Sequence, residues 1–141
     1  MAIETEDLKD FIIRARNAFE RPQIKNSCIS LNEFPYGCCM DASILLGKLM
    51  IEYGYEDFNL IATNWDVLPT HSWLQNKEFI IDITADQFEN WPKQELILPR
   101  HPLPSHYARY TITSENLVST RQFPFGSIKA YNLMKEIING Q

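Results

Sequence analysis

The sequence predicts an α+β domain. Two helical patterns come first, strand patterns follow one another through the middle of the chain, and one helical pattern closes it, so helices and strands segregate rather than alternate. The 141 residues suit one domain with a real core, and 45% apolar with 12% aromatic residues excludes disordered, collagen-like and low-complexity classes. Neither a repeat nor a linker divides residues 1–141, so a single domain is expected throughout.

Leu8, Phe11, Ile12, Ala15 and Phe19 recur at three- and four-residue spacing, the stripe of a packing helix that Pro22 ends near Arg21. Across residues 23–36 the pattern lapses into a polar loop closed by Phe34-Pro35-Tyr36-Gly37, where Pro and Gly force a turn. Ala42, Leu45, Leu46, Leu49, Met50 and Tyr53 then predict a central, mostly buried helix, with Gly54 suited to the left-handed position that ends it. Residues 58–63 read as a strand, 64–69 as irregular, and 71–75 and 78–84 as two short strands. Pro92, Pro99, Pro102 and Pro104 exclude a helix from 91–104 and disfavour a central strand there, so this segment is expected to wrap the surface. Its Trp91, Leu96, Ile97, Leu98 and Leu103 either flank a substrate cleft or cap the core, and the core cap is preferred. Residues 107–113 suit an edge strand. Ser127 is placed as the N-cap of a last amphipathic helix traced by Ile128, Tyr131, Met134 or Lys135, and Ile138.

Lys and Arg total 13 against 18 Asp and Glu, and the net charge of −5 provides no footprint for nucleic acid or an anionic membrane. No apolar run reaches the roughly 18 to 20 residues of a membrane span, and the acidic residues 1–10 lack secretory character, so a cytoplasmic location is expected. The three cysteines, Cys28, Cys38 and Cys39, make an odd count that suits free thiols in a reducing compartment.

Gly37-Cys38-Cys39-Met40-Asp41-Ala42-Ser43 puts two thiols where a loop becomes a long helix. The partial positive charge and unpaired N–H groups of a helix N-terminus favour thiolate and can face a developing oxyanion, so a cysteine here is a candidate nucleophile. The blander alternative is a pair of small buried hydrophobes. Adjacent cysteines lack the gap that chelates tetrahedral zinc, and no metal or other cofactor is implied. Downstream, taking Asn76-Lys77 as a hairpin turn pairs Gln75 with Glu78, Leu74 with Phe79, Trp73 with Ile80, Ser72 with Ile81 and His71 with Asp82. A carboxylate so placed accepts a hydrogen bond from the imidazole and orients it as a general base, so a thiol, His71 and Asp82 would complete a triad.

These residues resemble the transglutaminase-like branch of the papain-like cysteine hydrolases. The family pattern is Gly, any residue and Cys at a helix start, then His with Trp two residues on, then Asp with Thr two residues on. Here it matches Gly37-Cys38-Cys39, His71-Ser72-Trp73 and Asp82-Ile83-Thr84, within roughly residues 34–88. The resemblance implies Cys39 as nucleophile with Cys38 at the variable position, His71 as base and Asp82 as its orienting acid. It also implies a papain-like core, in which a central helix bearing the thiol packs on an antiparallel sheet bearing His and Asp. The implied activity is amide hydrolysis or acyl transfer, as in peptidases, deamidases and transglutaminases, on a peptide or protein substrate. The chain shows no acidic calcium-loop pattern. Asn32, Asn64, Trp73 and Gln87 are candidates for substrate or oxyanion contact. Asp86 and Gln87 either line the pocket or form a polar turn with Phe88 anchoring it, the latter preferred. His101 and His106 read as surface histidines, and Cys28 as structural. The competing class is an inactive scaffold of the same fold that binds a partner protein.

Overall fold

The computed structural model describes residues 5–64, 70–87 and 95–140. In chain order it contains α1 (Thr5–Phe19), α2 (Pro22–Lys25), α3 (Cys39–Glu52), β1 (Asn59–Thr63), β2 (Ser72–Gln75), β3 (Phe79–Ile81), β4 (Ile97–Pro99), α4 (Ser105–Ala108), β5 (Ile112–Leu117) and α5 (Ile128–Asn139). The α+β expectation holds, with five strands forming one antiparallel sheet in the order β4-β3-β2-β1-β5. Among the described residues no helix is long and apolar enough to cross a membrane.

The apolar stripe of α1 is buried along its length, from Leu8 to Phe19. In α3, Ala42, Leu45, Leu46, Leu49 and Met50 are fully buried against the β1–β2–β3 face that carries Leu60, Leu74 and Ile81. The helix ends as its glycine suggests: Gly54 has φ +91°, its N–H donates to the Ile51 carbonyl (3.0 Å), and the Tyr55 N–H donates to that of Met50 (2.8 Å). In α5 the inward residues are Ala130, Tyr131, Met134 and Ile138, whereas Ile128 is exposed. At 100° per residue Ile128 lies about 120° from Met134, outside the arc its neighbours occupy. Ser127 stands at the N-cap, yet its hydroxyl donates to the Pro124 carbonyl (2.6 Å) instead of capping.

Residues 23–36 are more ordered than a plain loop. Pro22 opens α2 at a position where its missing N–H costs nothing, and a 3₁₀ turn, Ile29–Leu31, follows, burying Ile24, Cys28 and Leu31. Residues 107–113 are not one strand: Tyr107 belongs to α4, where its N–H donates to the Pro104 carbonyl (3.0 Å), and the edge strand β5 begins at Ile112. Pro99 lies in β4 at the opposite edge, where a missing donor is tolerated. Leu96 and Ile97 pack on the main core and Leu98 on a second cluster, in line with a core cap, while Leu103 is exposed. Trp91, Phe88 and most of the irregular stretch 64–69 lie outside the described residues.

The hairpin register differs from expectation in an instructive way. The loop is Lys77-Glu78, because the Asn76 N–H donates to the Phe79 carbonyl (3.0 Å) and Asn76 Oδ1 accepts from the N–H groups of Glu78 (2.8 Å) and Phe79 (2.7 Å). Asn76 thus serves the turn through its side chain, not through a positive φ. Leu74 pairs with Ile81 and Gln75 with Ile80, and continuing that register puts Thr84, not Asp82, opposite His71. The displacement is two residues, and side chains alternate with period two, so His71 and Asp82 remain on one face as diagonal neighbours. Within the strands that face carries a second cluster of Ile61, Trp73, Ile80 and Tyr107, and His71 lies beyond the start of β2, within reach of the N-terminus of α3. All four β2 residues are consequently buried.

Gly47 on α3 marks a tight contact: a Cβ there would meet the Val118 methyls at 2.7 and 2.8 Å. Gly47→Val is expected to lower stability by about 1–3 kcal/mol through overpacking. Chemical denaturation of Gly47→Val with and without Val118→Ala checks this, since the second change makes room and should recover much of the loss.

Candidate active site

Cys38 and Cys39 share a helix start but not an environment. Cys38 is the N-cap residue of α3 and is buried, its carbonyl accepting the first helical bond from the Ala42 N–H (2.8 Å); Cys39 is the first helical residue and is partly exposed. Burial, reinforced by the charges of Cys39 and Asp41, pushes the Cys38 thiol up to about 12, so it stays protonated at neutral pH. The Cys38 side chain does not cap α3, which leaves the first-turn N–H groups beside Cys39 without an N-cap acceptor.

His71 sits just ahead of β2 and Asp82 just after β3, both with 0% exposure, and His71 Nε2 lies 2.6 Å from Asp82 Oδ2. Thr63 at the end of β1 holds the His71 backbone both ways, accepting from its N–H (2.9 Å) and donating to its carbonyl (2.8 Å). The Asp82 N–H donates to the Leu96 carbonyl (2.8 Å), its Oδ1 accepts from the Thr84 N–H (3.2 Å), and its Oδ2 accepts from the Tyr107 hydroxyl (2.7 Å). Cys39 hydrogen-bonds to the imidazole. With Nε2 committed to Asp82, Nδ1 is the nitrogen left for the thiol. Burial by itself pulls the His71 pKa down, but the charge and hydrogen bond of Asp82, aided by Cys39, push it up to about 9.

Of the other candidates, Trp73 and Gln87 join this group. The Trp73 ring lies 5.8 Å from His71, and Gln87 Nε2 donates to Thr84 Oγ1 (3.0 Å) at 3.4 Å from His71 Nδ1. Asn32 is exposed at the end of the 3₁₀ turn, and Asn64 is exposed where β1 ends, its N–H donating to the Thr111 carbonyl (2.9 Å). Asp86 belongs to a polar turn: Arg16 of α1 grips both its carboxylate oxygens (2.8 and 2.7 Å) and the Ile83 carbonyl (2.7 Å). The Arg16 guanidinium also lies over the Phe34 ring at 4.8 Å, joining the turn after Asp82 to the loop before Cys39. Cys28 is buried with its sulfur 3.3 Å from Ser30 Oγ. His101 is exposed, but His106 is half-buried, its ring 4.5 Å from that of Tyr107, and burial lowers its pKa. Among the described residues no group of three or more His, Cys, Asp or Glu side chains is arranged to hold a metal ion.

Sequence reasoning missed Tyr107 and Tyr110, whose rings lie 5.0 and 5.6 Å from Trp73, and missed Arg16. The spacing of two tyrosines in a Pro-rich tail carries no signal of a carboxylate 25 residues upstream. Comparison of the chain with protein-family models, curated proteins and solved structures returns no match.

Because the folded-state pKa of His71 lies above its ordinary 6.5, the protonated imidazole stabilises the fold. That contribution is complete below about pH 6.5 and is lost as the pH climbs through 9. An NMR titration of the His71 ring should give a midpoint near 9 in the native chain, and one below 6.5 in Asp82→Asn, where burial dominates. A native midpoint at or under 6.5 would contradict this electrostatic account.

Proposed function

We propose that this chain is a papain-like, transglutaminase-type cysteine enzyme that cleaves or transfers acyl groups of amides through a thioester on Cys39. One observation carries the reading: Cys39, His71 and Asp82 are joined through hydrogen bonds at the uncapped start of a 14-residue helix. A buried acid behind a base and a partly exposed thiol before it is the order that nucleophilic catalysis requires.

In the proposed cycle the Cys39 sulfur attacks the amide carbon, the C–S bond forms, and negative charge collects on the carbonyl oxygen. The first-turn N–H groups of α3 stabilise that oxyanion. His71 passes its Nδ1 proton to the amide nitrogen, the C–N bond breaks, the amine leaves and the thioester remains. Asp82 holds Nε2 throughout. The imidazole, now neutral, takes a proton from water or an incoming amine as that nucleophile attacks the thioester. The products are a carboxylic acid, as in peptidases and deamidases, or a new amide, as in transglutaminases, and Cys39 is released. Suitable acyl donors are a peptide bond or a glutamine side chain of a peptide or protein. The free state of all three cysteines suits a reducing compartment such as the cytoplasm.

Iodoacetamide labelling read by peptide mass spectrometry is the first test. At about pH 6 Cys39 should be modified while Cys38, buried with its thiol pushed up to about 12, is spared, and the Cys39 rate should fall at least about tenfold in His71→Ala. In a peptide or glutamine-amide assay, Cys39→Ala should lose at least about a thousandfold in rate while keeping its circular dichroism spectrum. Cys39 labelling no faster in the native chain than in His71→Ala would refute the enzyme reading in favour of an inactive scaffold.

A further inference from the structure

We propose that Tyr107 is a positioning residue of this site, holding the Asp82 carboxylate in the orientation from which it sets the tautomer and basicity of His71. The proposal rests on the reading of Cys39, His71 and Asp82 as an amide-cleaving set. Asp82 is buried, so its charge can be met only by protein donors. The Thr84 N–H meets Oδ1 at 3.2 Å, while Oδ2 alone would be left to His71 if the Tyr107 hydroxyl did not reach it at 2.7 Å. Thr84 alone on Oδ1, through its N–H and its hydroxyl (3.5 Å), with His71 alone on Oδ2, allows the carboxylate plane to rock about the bond to Cβ; a second donor on Oδ2, fixed to a separate element, removes that freedom.

The rest of the segment is built to keep this hydroxyl in place. Tyr107 is 2% exposed, and its ring meets Trp73 edge-on at 5.0 Å. Trp73 in turn is pinned through Nε1, which donates to Gln75 Oε1 (3.2 Å). The second cluster lies on the sheet face that carries the His71–Asp82 pair, opposite the main core, and among the described residues Tyr107 is its fully buried member from outside the sheet, with Tyr110 packed beside it. The short α4 therefore closes the buried side of the pair and substitutes a fixed phenol for the water that would otherwise solvate Asp82. Among the described residues Cys39 from α3 acts on His71, and His106 in α4 and Tyr110 after it feel the charge of Asp82, with Arg109 beside both of them.

Tyr107→Phe keeps the ring on Trp73 and removes only the donor. More of the Asp82 charge then faces the imidazolium, so the NMR midpoint of His71 should rise by about half a unit or more. In the amide assay kcat should fall about tenfold, the scale of one charge-assisted hydrogen bond, with KM little changed. Site-specific 3-fluorotyrosine at 107 keeps the fold and strengthens the donor, so the His71 midpoint should move the opposite way; it serves alone if the Phe variant does not fold. A His71 titration that both replacements leave unmoved overturns the proposal, whatever happens to the melting temperature. The titration does not depend on turnover: a shifted midpoint in a protein that acylates no donor sustains the positioning role and sinks the enzyme reading. Unchanged kcat and titration in an active Tyr107→Phe protein do the reverse.

Discussion

The His71 imidazole and the Asp82 carboxyl group meet at 2.6 Å with neither exposed to water, and much of the architecture around them makes that contact tenable. Withdrawing two such groups from solvent costs several kcal/mol per ion unless the geometry is good and the remaining polar atoms are matched. Here they are matched by donors from three directions: the turn after β3 through Thr84, α4 through Tyr107, and the end of β1 through Thr63, which clamps the histidine backbone. No buried side-chain nitrogen or oxygen among the described residues lacks a partner. Strands β1–β3 are consequently covered on both faces, by α3 with the main core on one and by the Trp73–Tyr107 cluster on the other, whereas the edge strand β5 is exposed.

The thiol is presented by different means. α3 is held by burial along nearly its whole length, so its N-terminus is a rigid mount for Cys39. Arg16 ties this mount to the carboxylate side. Its guanidinium binds Asp86 and the Ile83 carbonyl in the turn following Asp82, and it stacks over Phe34, which itself stacks on Phe19 of α1 at 5.0 Å. A bidentate arginine is suited to such a tie because its planar fork fixes direction as well as distance. The two adjacent cysteines are separated chemically by one residue of helix geometry: the N-cap thiol turns into the core, and the next faces the imidazole.

Much of the fold and the His71–Asp82 contact are legible in the sequence. The helical stripes of α1 and α3 survive because three- and four-residue spacing of large apolar groups leaves few alternative burials. His71 and Asp82 were correctly brought together from a register that was itself displaced, since an even slip preserves the face. Only their chemistry recommends Asn32 and Asn64, and the structure leaves both exposed at the ends of local elements. The sequence suggests an edge strand at Tyr107, because an aromatic residue before β-branched neighbours has the local pattern of a strand, and only packing against Trp73 turns it inward.

By itself the sequence determined what short-range periodicity encodes: the order of elements, the buried helical faces, the helix start that bears the thiols and the shared face of His71 and Asp82. The tertiary structure alone decided which cysteine is buried, that Asn76 closes its turn through a side chain, that Asp86 serves Arg16 and that Tyr107 serves Asp82. The reason is physical. Periodicity acts between residues a few positions apart, whereas the Arg16–Asp86 contact spans 70 positions and the Tyr107–Asp82 contact 25, and both exist only once the sheet and helices have closed around them.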